Sequence, residues 1–399
     1  MLFRKSKFFK KTATLRGSQD GINALAFSEE GKFLAAAGRG GAIIWDLATL
    51  SEVTTPSALI QSKTWDAARS FNTVEWMYFR EQESTHILLL GSDAGEVILL
   101  GWVPERKAFR IIQRLPPEEA GDGVISMHVY EREPSQARAY FVVATYGGRV
   151  SVRRLTLTGC HILFSTTVDY ELVAVRFYPR TRDVYLFAAA GGLIACLDKE
   201  TGQTIFSGRL GPETMGSICV DSTGDRFVVG TARNFEMFNF KDVGYLQTFL
   251  CRKPIVPFPK DAAFTDDGLA LVGGTDYGVA AVFDVNSGAM VQTLKYPEGG
   301  LVQTVAVYTS SDTHTIAIAG STLNRPAEVI LFQKSRPSNP LPPTNSYSKI
   351  VGPQSWWLSC LILIPLALIG CHTLASIVFP QVRIHHFALQ SQVLMFKSD

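Results

Sequence analysis

Between residues 10 and 335 the apolar positions repeat with the period of strands. Short runs, alternating or wholly apolar, are broken by Gly, Asp, Ser and Pro. No stretch there sustains a helical period beyond about a dozen residues. The runs recur in a fixed order. A first strand is predicted at Ile22–Phe27, Thr73–Tyr78, Val124–Val129, Leu172–Phe177, Met215–Val220, Asp261–Phe264 and Val302–Val307. A second follows at Phe33–Ala37, Ile87–Leu90, Tyr140–Ala144, Val184–Ala189, Arg226–Val229, Leu269–Val272 and Thr315–Ala319. A third follows at Ala42–Trp45, Val97–Trp102, Arg149–Arg153, Leu193–Leu197, Phe235–Phe238, Val279–Phe283 and Ala327–Phe332. Copies start about 40 to 50 residues apart, and that period with all-strand content selects a β-propeller over a solenoid.

Seven third strands mean seven blades. The last copy ends near Phe332 without an outer strand, and Lys10–Leu15 has no inner strand of its own. The N-terminal segment should therefore complete the last blade, since an open ring would leave sheet edges and an apolar face in water. The fold class is all-β, with one helix added at the C-terminal end.

That helix is expected at Trp356–Phe379, which holds no formally charged residue. At ~1.5 Å per residue such a run covers the ~30 Å hydrocarbon core of a bilayer. Trp356 and Trp357 suit the headgroup zone, and Pro365 is tolerated in a span. The expected organisation is a basic leader at 1–7, the propeller at 8–335, a Pro/Ser-rich linker at 336–355, the transmembrane helix at 356–379 and a short tail at 380–399. Arg336 and Lys349 before the span balance Arg383 and Lys397 after it, so flanking charge sets no orientation. The N-terminus lacks a signal peptide's apolar stretch, and no Asn-x-Ser/Thr acceptor occurs. Both features favour a head facing the cytosol from an intracellular membrane. The span lies close to Asp399, a layout that resembles tail-anchored proteins.

Turn chemistry repeats with the strands. Ser28–Gly31, Asp221–Gly224 and Thr265–Gly268 are reverse-turn sequences. After third strands stand Asp46, Asp198 and Asp284, each opening a polar hairpin whose amides the carboxylate can bind. On these residues, Ile22–Leu50 resembles one repeat of the WD-repeat β-propeller family, a likeness that covers roughly residues 8–335. Trp45-Asp46 closes a repeat in the family's manner; Trp65-Asp66 falls in a connecting segment. Gly17-Ser18 stands where the family has Gly-His, so blade stability is expected to rest on packing between sheets.

The net charge is +2, too weak a field to suggest nucleic acid as a partner. The six cysteines include no C-x-x-C pair, and His86, His128, His161 and His314 lack metal-ligand spacing. No nucleophile elbow, Walker sequence or dinucleotide fingerprint appears, so no catalytic residue and no cofactor is assigned. The Gly-rich runs Gly38–Gly41 and Gly147–Arg149 read as turns between strands. Binding surfaces are the better expectation. Loops between second and third strands should gather at one end of the ring and present Arg39, Asp93, Tyr146, Arg233, Tyr277, Asn324 and Arg325. Arg and Tyr are common interface anchors. The expected role is a membrane-tethered scaffold that recruits a cytosolic protein or peptide, with the bilayer held through Trp356–Phe379. The shared layout of a head and one C-terminal-side span also resembles endoplasmic-reticulum guanine-nucleotide exchange factors of vesicle-coat assembly. That likeness implies an alternative activity on a small GTPase, which a nucleotide-release assay would detect.

Overall fold

The alternating runs become strands because each can bury one face, or both, against a neighbouring sheet. The computed structural model describes residues 8–336, apart from 18–20, 60–69, 81–85, 135–137, 157, 232, 257–259, 298–299 and 323–325. They form seven four-stranded antiparallel sheets. Blade 1 is Ile22–Phe27, Phe33–Gly38, Gly41–Asp46 and Ser51–Glu52. Blade 2 is Phe71–Tyr78, His86–Ser92, Val97–Val103 and Ala108–Leu115. Blade 3 is Val124–Val129, Arg138–Thr145, Arg149–Thr156 and Gly159–Thr167. Blade 4 is Leu172–Phe177, Val184–Ala188, Leu193–Leu197 and Thr204–Arg209. Blade 5 is Ser217–Val220, Arg226–Gly230, Phe235–Asn239 and Tyr245–Phe249. Blade 6 is Ala262–Thr265, Ala270–Gly273, Val279–Asp284 and Met290–Lys295. Blade 7 is Leu301–Thr309, Thr313–Ser321 and Val329–Ser335, completed by Lys10–Leu15. The first strand of each blade contacts the first strand of the next, and blade 7 returns to blade 1. The chain is a seven-bladed β-propeller.

Closure follows the expected route. Lys10–Leu15 lies antiparallel to Val329–Ser335, with Leu15 opposite Val329 and Lys10 opposite Gln333. A second fastening was not legible in the sequence. Phe9 is buried, its N–H donates to Gln292 Oε1 at 2.9 Å, and Gln292 Nε2 donates to the Phe9 carbonyl at 2.7 Å. The N-terminal segment is thus tied to blades 6 and 7 together.

The cores lie between blades. Phe33 of blade 1 packs on Trp76, Trp102 and Phe109 of blade 2, with centroids 4.8–6.0 Å apart. Trp76 is fully buried and its indole N–H donates across the joint to the Ala26 carbonyl at 2.9 Å. Aromatic residues bury large areas and reward such pairing.

The two ends of the ring differ. Turns after first strands and after third strands occupy one end, here the turn face. Turns after second strands and the blade-to-blade connectors occupy the other, the loop face. On the turn face every joint is stapled. Tyr308 of blade 7 packs on Gly31, where a Cβ would fall 2.2 Å from its ring. His86 Nε2 faces Glu30 at 3.8 Å, and Tyr78 N–H donates to the Arg132 carbonyl at 2.7 Å. Tyr130 donates to the Pro179 carbonyl at 3.0 Å, and Arg180 pairs with Asp225. Arg226 donates to the Gly268 carbonyl at 3.2 Å. Between blades 6 and 7, Lys334 pairs with Asp266 at 2.6 Å and Arg336 with Asp267 at 3.0 Å. Buried His314 sits 3.3 Å from Asp266.

The hairpin aspartates act as expected. Asp46 Oδ1 accepts the amides of Ala48 and Thr49. Asp198 Oδ1 accepts those of Glu200 and Thr201, and Asp284 Oδ1 that of Ser287. Bonds from Thr201 and Ser287 favour the charged form and hold both acids below the usual carboxylate range.

The described residues contain three short 3₁₀ turns, at Ser57–Leu59, Pro104–Arg106 and Asp266–Gly268, and no helix long and apolar enough to cross a membrane. The propeller belongs to one unit, Met1–Ser338, and Asn339–Asp399 constitutes another. The basic leader at 1–7, the linker from 337, the span expected at Trp356–Phe379 and the tail lie outside the described residues.

Candidate functional site: the loop face

Five of the seven residues singled out in the sequence are described, and all five stand in turns of the loop face. Asn324 and Arg325 lie outside the described residues. Arg39 is exposed in the blade 1 turn. The other four fall into two neighbourhoods.

Asp93 and Tyr146 form the first, on blades 2 and 3. Asp93 is half-buried and accepts a hydrogen bond from Asn72 Nδ2, so its carboxylate already braces the inner strand of its blade. Tyr146 is 58% exposed. Burial of part of its ring, with Asp93 and Glu171 nearby, pushes its hydroxyl pKa up, so it stays protonated. Asp122, behind the same turn, accepts the Thr145 hydroxyl and the Gly147 N–H, both at 2.6 Å. Glu118 receives Arg153 and Ser165 at 2.8 Å each, and Arg149 pairs with Glu119 at 3.2 Å. Carboxylates dominate this sector, and those named are engaged in bonds within it.

Arg233 and Tyr277 form the second, on blades 5 and 6, joined by the connector 250–256. Arg233 is exposed. Cys251 N–H donates to the Asn234 side chain at 3.1 Å. The Tyr277 hydroxyl donates to the Lys253 carbonyl, and the Arg252 guanidinium lies 4.0 Å over the Tyr277 ring. Beneath them Asp276 is buried. Its Oδ2 accepts the amides of Ile255 and Val256, both at 2.8 Å. Its Oδ1 pairs with Lys260 Nζ at 2.9 Å, with side-chain exposures of 0% and 8%. The connector is thereby held from below, while Leu250 and Ile255 stand 71% and 66% exposed above it.

Sequence reasoning missed this connector. Its signal was the segment Leu250–Lys260, where aliphatic and basic residues alternate with Pro254, Pro257 and Pro259 outside any strand period. It also missed a set of charged groups on the inner strands. Arg176 donates to the Ile218 carbonyl at 2.7 Å and to Ser126 Oγ at 3.1 Å, bolting blade 4 to blades 5 and 3. Its charge opposes the effect of burial on Glu75 and Asp261. Burial wins in both: Glu75 is raised, and Asp261 is pushed up to about 6. His128 Nδ1 accepts the Phe177 N–H at 3.1 Å, and burial holds its pKa well below the ordinary value, so it is neutral. The Cys219 thiol is pushed up to about 12 by burial, which keeps it protonated and unreactive. Among the described residues no group of three or more His, Cys, Asp and Glu is placed to hold a metal ion.

The loop face can therefore offer two kinds of contact: a tyrosine among carboxylates on blade 3, and aliphatic side chains among cations on blades 5 and 6. A scan against protein-family models finds no match, and a search of curated proteins finds none either.

Proposed function

We propose that the protein is a membrane-tethered interaction scaffold, which recruits a cytosolic protein or peptide through the loop face of its propeller. The observation that carries this reading is the set of side chains the loop face presents. Tyr146, Leu250 and Ile255 are largely exposed there, beside exposed Arg39 and Arg233. Aromatic and cationic side chains on loops held in place lose little entropy on binding, which is what an interface anchor requires. A closed ring suits this role because its loops ride on a frame that does not reorganise. The apolar run Trp356–Phe379 supplies the tether and raises the local concentration of whatever is bound.

The test is proximity labelling from the intact chain, followed by co-purification of the labelled neighbours. The triple variant Arg39→Ala, Tyr146→Ala, Arg233→Ala should lose capture of a cytosolic partner by at least tenfold while remaining in the carbonate-resistant membrane fraction. Unchanged capture removes the loop face from the proposal. Release of the wild-type chain by carbonate removes the tether.

A further inference from the structure

The connector Leu250–Val256 is built at a cost that its own fold does not repay. Leu250 and Ile255 are 71% and 66% exposed, and Val256 is exposed beside them. Burying such a side chain is favourable, so leaving two in water forgoes stabilisation that burial would have given. The segment is nonetheless fixed. A buried carboxylate takes the amides of Ile255 and Val256, the Asn234 side chain takes that of Cys251, and the Tyr277 hydroxyl holds the Lys253 carbonyl. Burying Lys260 and Asp276 to achieve this costs several kcal/mol of desolvation per ion, which their contact must offset. Aliphatic groups presented on a loop pre-ordered in this way form an anchor whose ordering cost is met before a partner arrives.

The charge around the anchor selects the partner. In the connector and the two adjoining turns, 231–234 and 275–278, the charged side chains are Arg233, Arg252, Lys253 and Asp276. The three cations reside on exposed residues. The one carboxylate is buried and paired with Lys260. An apolar anchor flanked by these three cations complements apolar side chains flanked by carboxylates. Anionic lipid offers related chemistry, and its competition with a peptide is one outcome of the test.

We infer that the blade 5–6 sector of the loop face is a docking site for an acidic amphipathic segment of a partner protein, its apolar side chains seated on Leu250 and Ile255 and its carboxylates on Arg233, Arg252 and Lys253. This rests on the scaffold reading and narrows it to one sector and one partner chemistry.

The test uses the full chain in nonionic detergent and three fluorescein-labelled synthetic peptides, read by fluorescence anisotropy. The first carries a leucine stripe flanked by glutamates. The second replaces the glutamates by lysines, and the third replaces the leucines by serines. The first should bind at least tenfold more tightly than either of the others. Leu250→Ser with Ile255→Ser should weaken it at least tenfold without altering the thermal transition, because these side chains support no core. Arg252→Glu with Lys253→Glu should reverse the preference toward the lysine peptide. Equal binding of all three peptides, or binding unaffected by the serine double variant, overturns the inference. Displacement of the glutamate peptide by soluble dioctanoyl phosphatidylserine at equal concentration assigns the sector to lipid and also overturns it. If cellular capture is lost in Tyr146→Ala but kept in the serine double variant, the scaffold reading stands and this inference falls.

Discussion

The two sectors of the loop face use the same residue types to opposite ends. Around Tyr146 the tyrosine is outside, and the Asp122 carboxylate fixes the turn that carries it. Around Tyr277 the tyrosine is half-buried with its hydroxyl engaged, the carboxylate lies beneath, and cations and aliphatic groups face water. Both are loops between equivalent strands of a repeating fold. What separates them is what the acid holds: Asp122 takes one hydroxyl and one amide of a single turn, whereas buried Asp276 takes two successive amides of a connector and a lysine besides. An acid of the first kind fixes one turn, and one of the second kind decides what an entire loop displays.

The comparison breaks most completely if the ring opens. Deletion of residues 1–16 removes the outer strand of blade 7 and the Phe9–Gln292 clasp together. The cooperative thermal transition should disappear, and aggregation on heating should replace it; a truncated protein that melts like the intact one contradicts the closure.

Next in size is the buried pair. Asp276→Ala removes the carboxylate that faces buried Lys260 and accepts the connector amides, and should cost about 3–5 kcal/mol in denaturant unfolding. Amide exchange should quicken at Ile255 and Val256. Replacing both partners, Lys260→Met with Asp276→Leu, should recover most of the stability but not the exchange protection. If the double variant also protects those amides, the carboxylate is not what holds the connector.

Asp261, between Lys260 and the inner strand Ala262–Thr265, gives a pH dependence. Its folded pKa of about 6 lies above the ordinary carboxylate value because burial outweighs the Thr304 hydrogen bond and the Arg176 charge. The folded state therefore holds a proton that the unfolded state releases. Its contribution is fully present below about pH 4 and is lost as pH rises through 6, about 3 kcal/mol in all. Asp261→Asn should remove that decline relative to wild type; identical pH–stability curves would show that the carboxyl titrates alike in both states.

The smallest effect belongs to the acidic sector. Asp122→Ala deletes two hydrogen bonds in a solvent-facing turn and should cost about 1 kcal/mol, with exchange altered only near Thr145–Gly147. A loss comparable with that of Asp276→Ala would erase the distinction between the sectors.

Legibility in the sequence followed the same division. First, second and third strands could be read because their positions are buried, as in Phe33–Gly38 and His86–Ser92, which are buried throughout. Most outer strands were missed because they face water: Thr204–Arg209 and Met290–Lys295 are largely exposed and carry little apolar signal. Asp46, Asp198 and Asp284 could be assigned from sequence since their partners lie two or three residues away. Of the seven residues proposed for the loop face, Asp93 and Tyr277 turned out to have polar groups committed to bonds within the fold. Arg39, Tyr146 and Arg233 stand exposed.

The chain's own pattern determined the number of blades and the aspartate-held hairpins, because these depend on local period or on contacts a few residues long; closure by the N-terminal strand followed from counting strands, since one copy lacks the strand that Lys10–Leu15 supplies. It also contains the apolar run Trp356–Phe379. Tertiary structure alone decided that Lys260 meets Asp276 under the connector, that Arg176 spans three blades and that the turn face is stapled at every joint. Those contacts join side chains brought together by curvature of the ring, and burial then sets what each charge is worth. Periodicity encodes neither quantity.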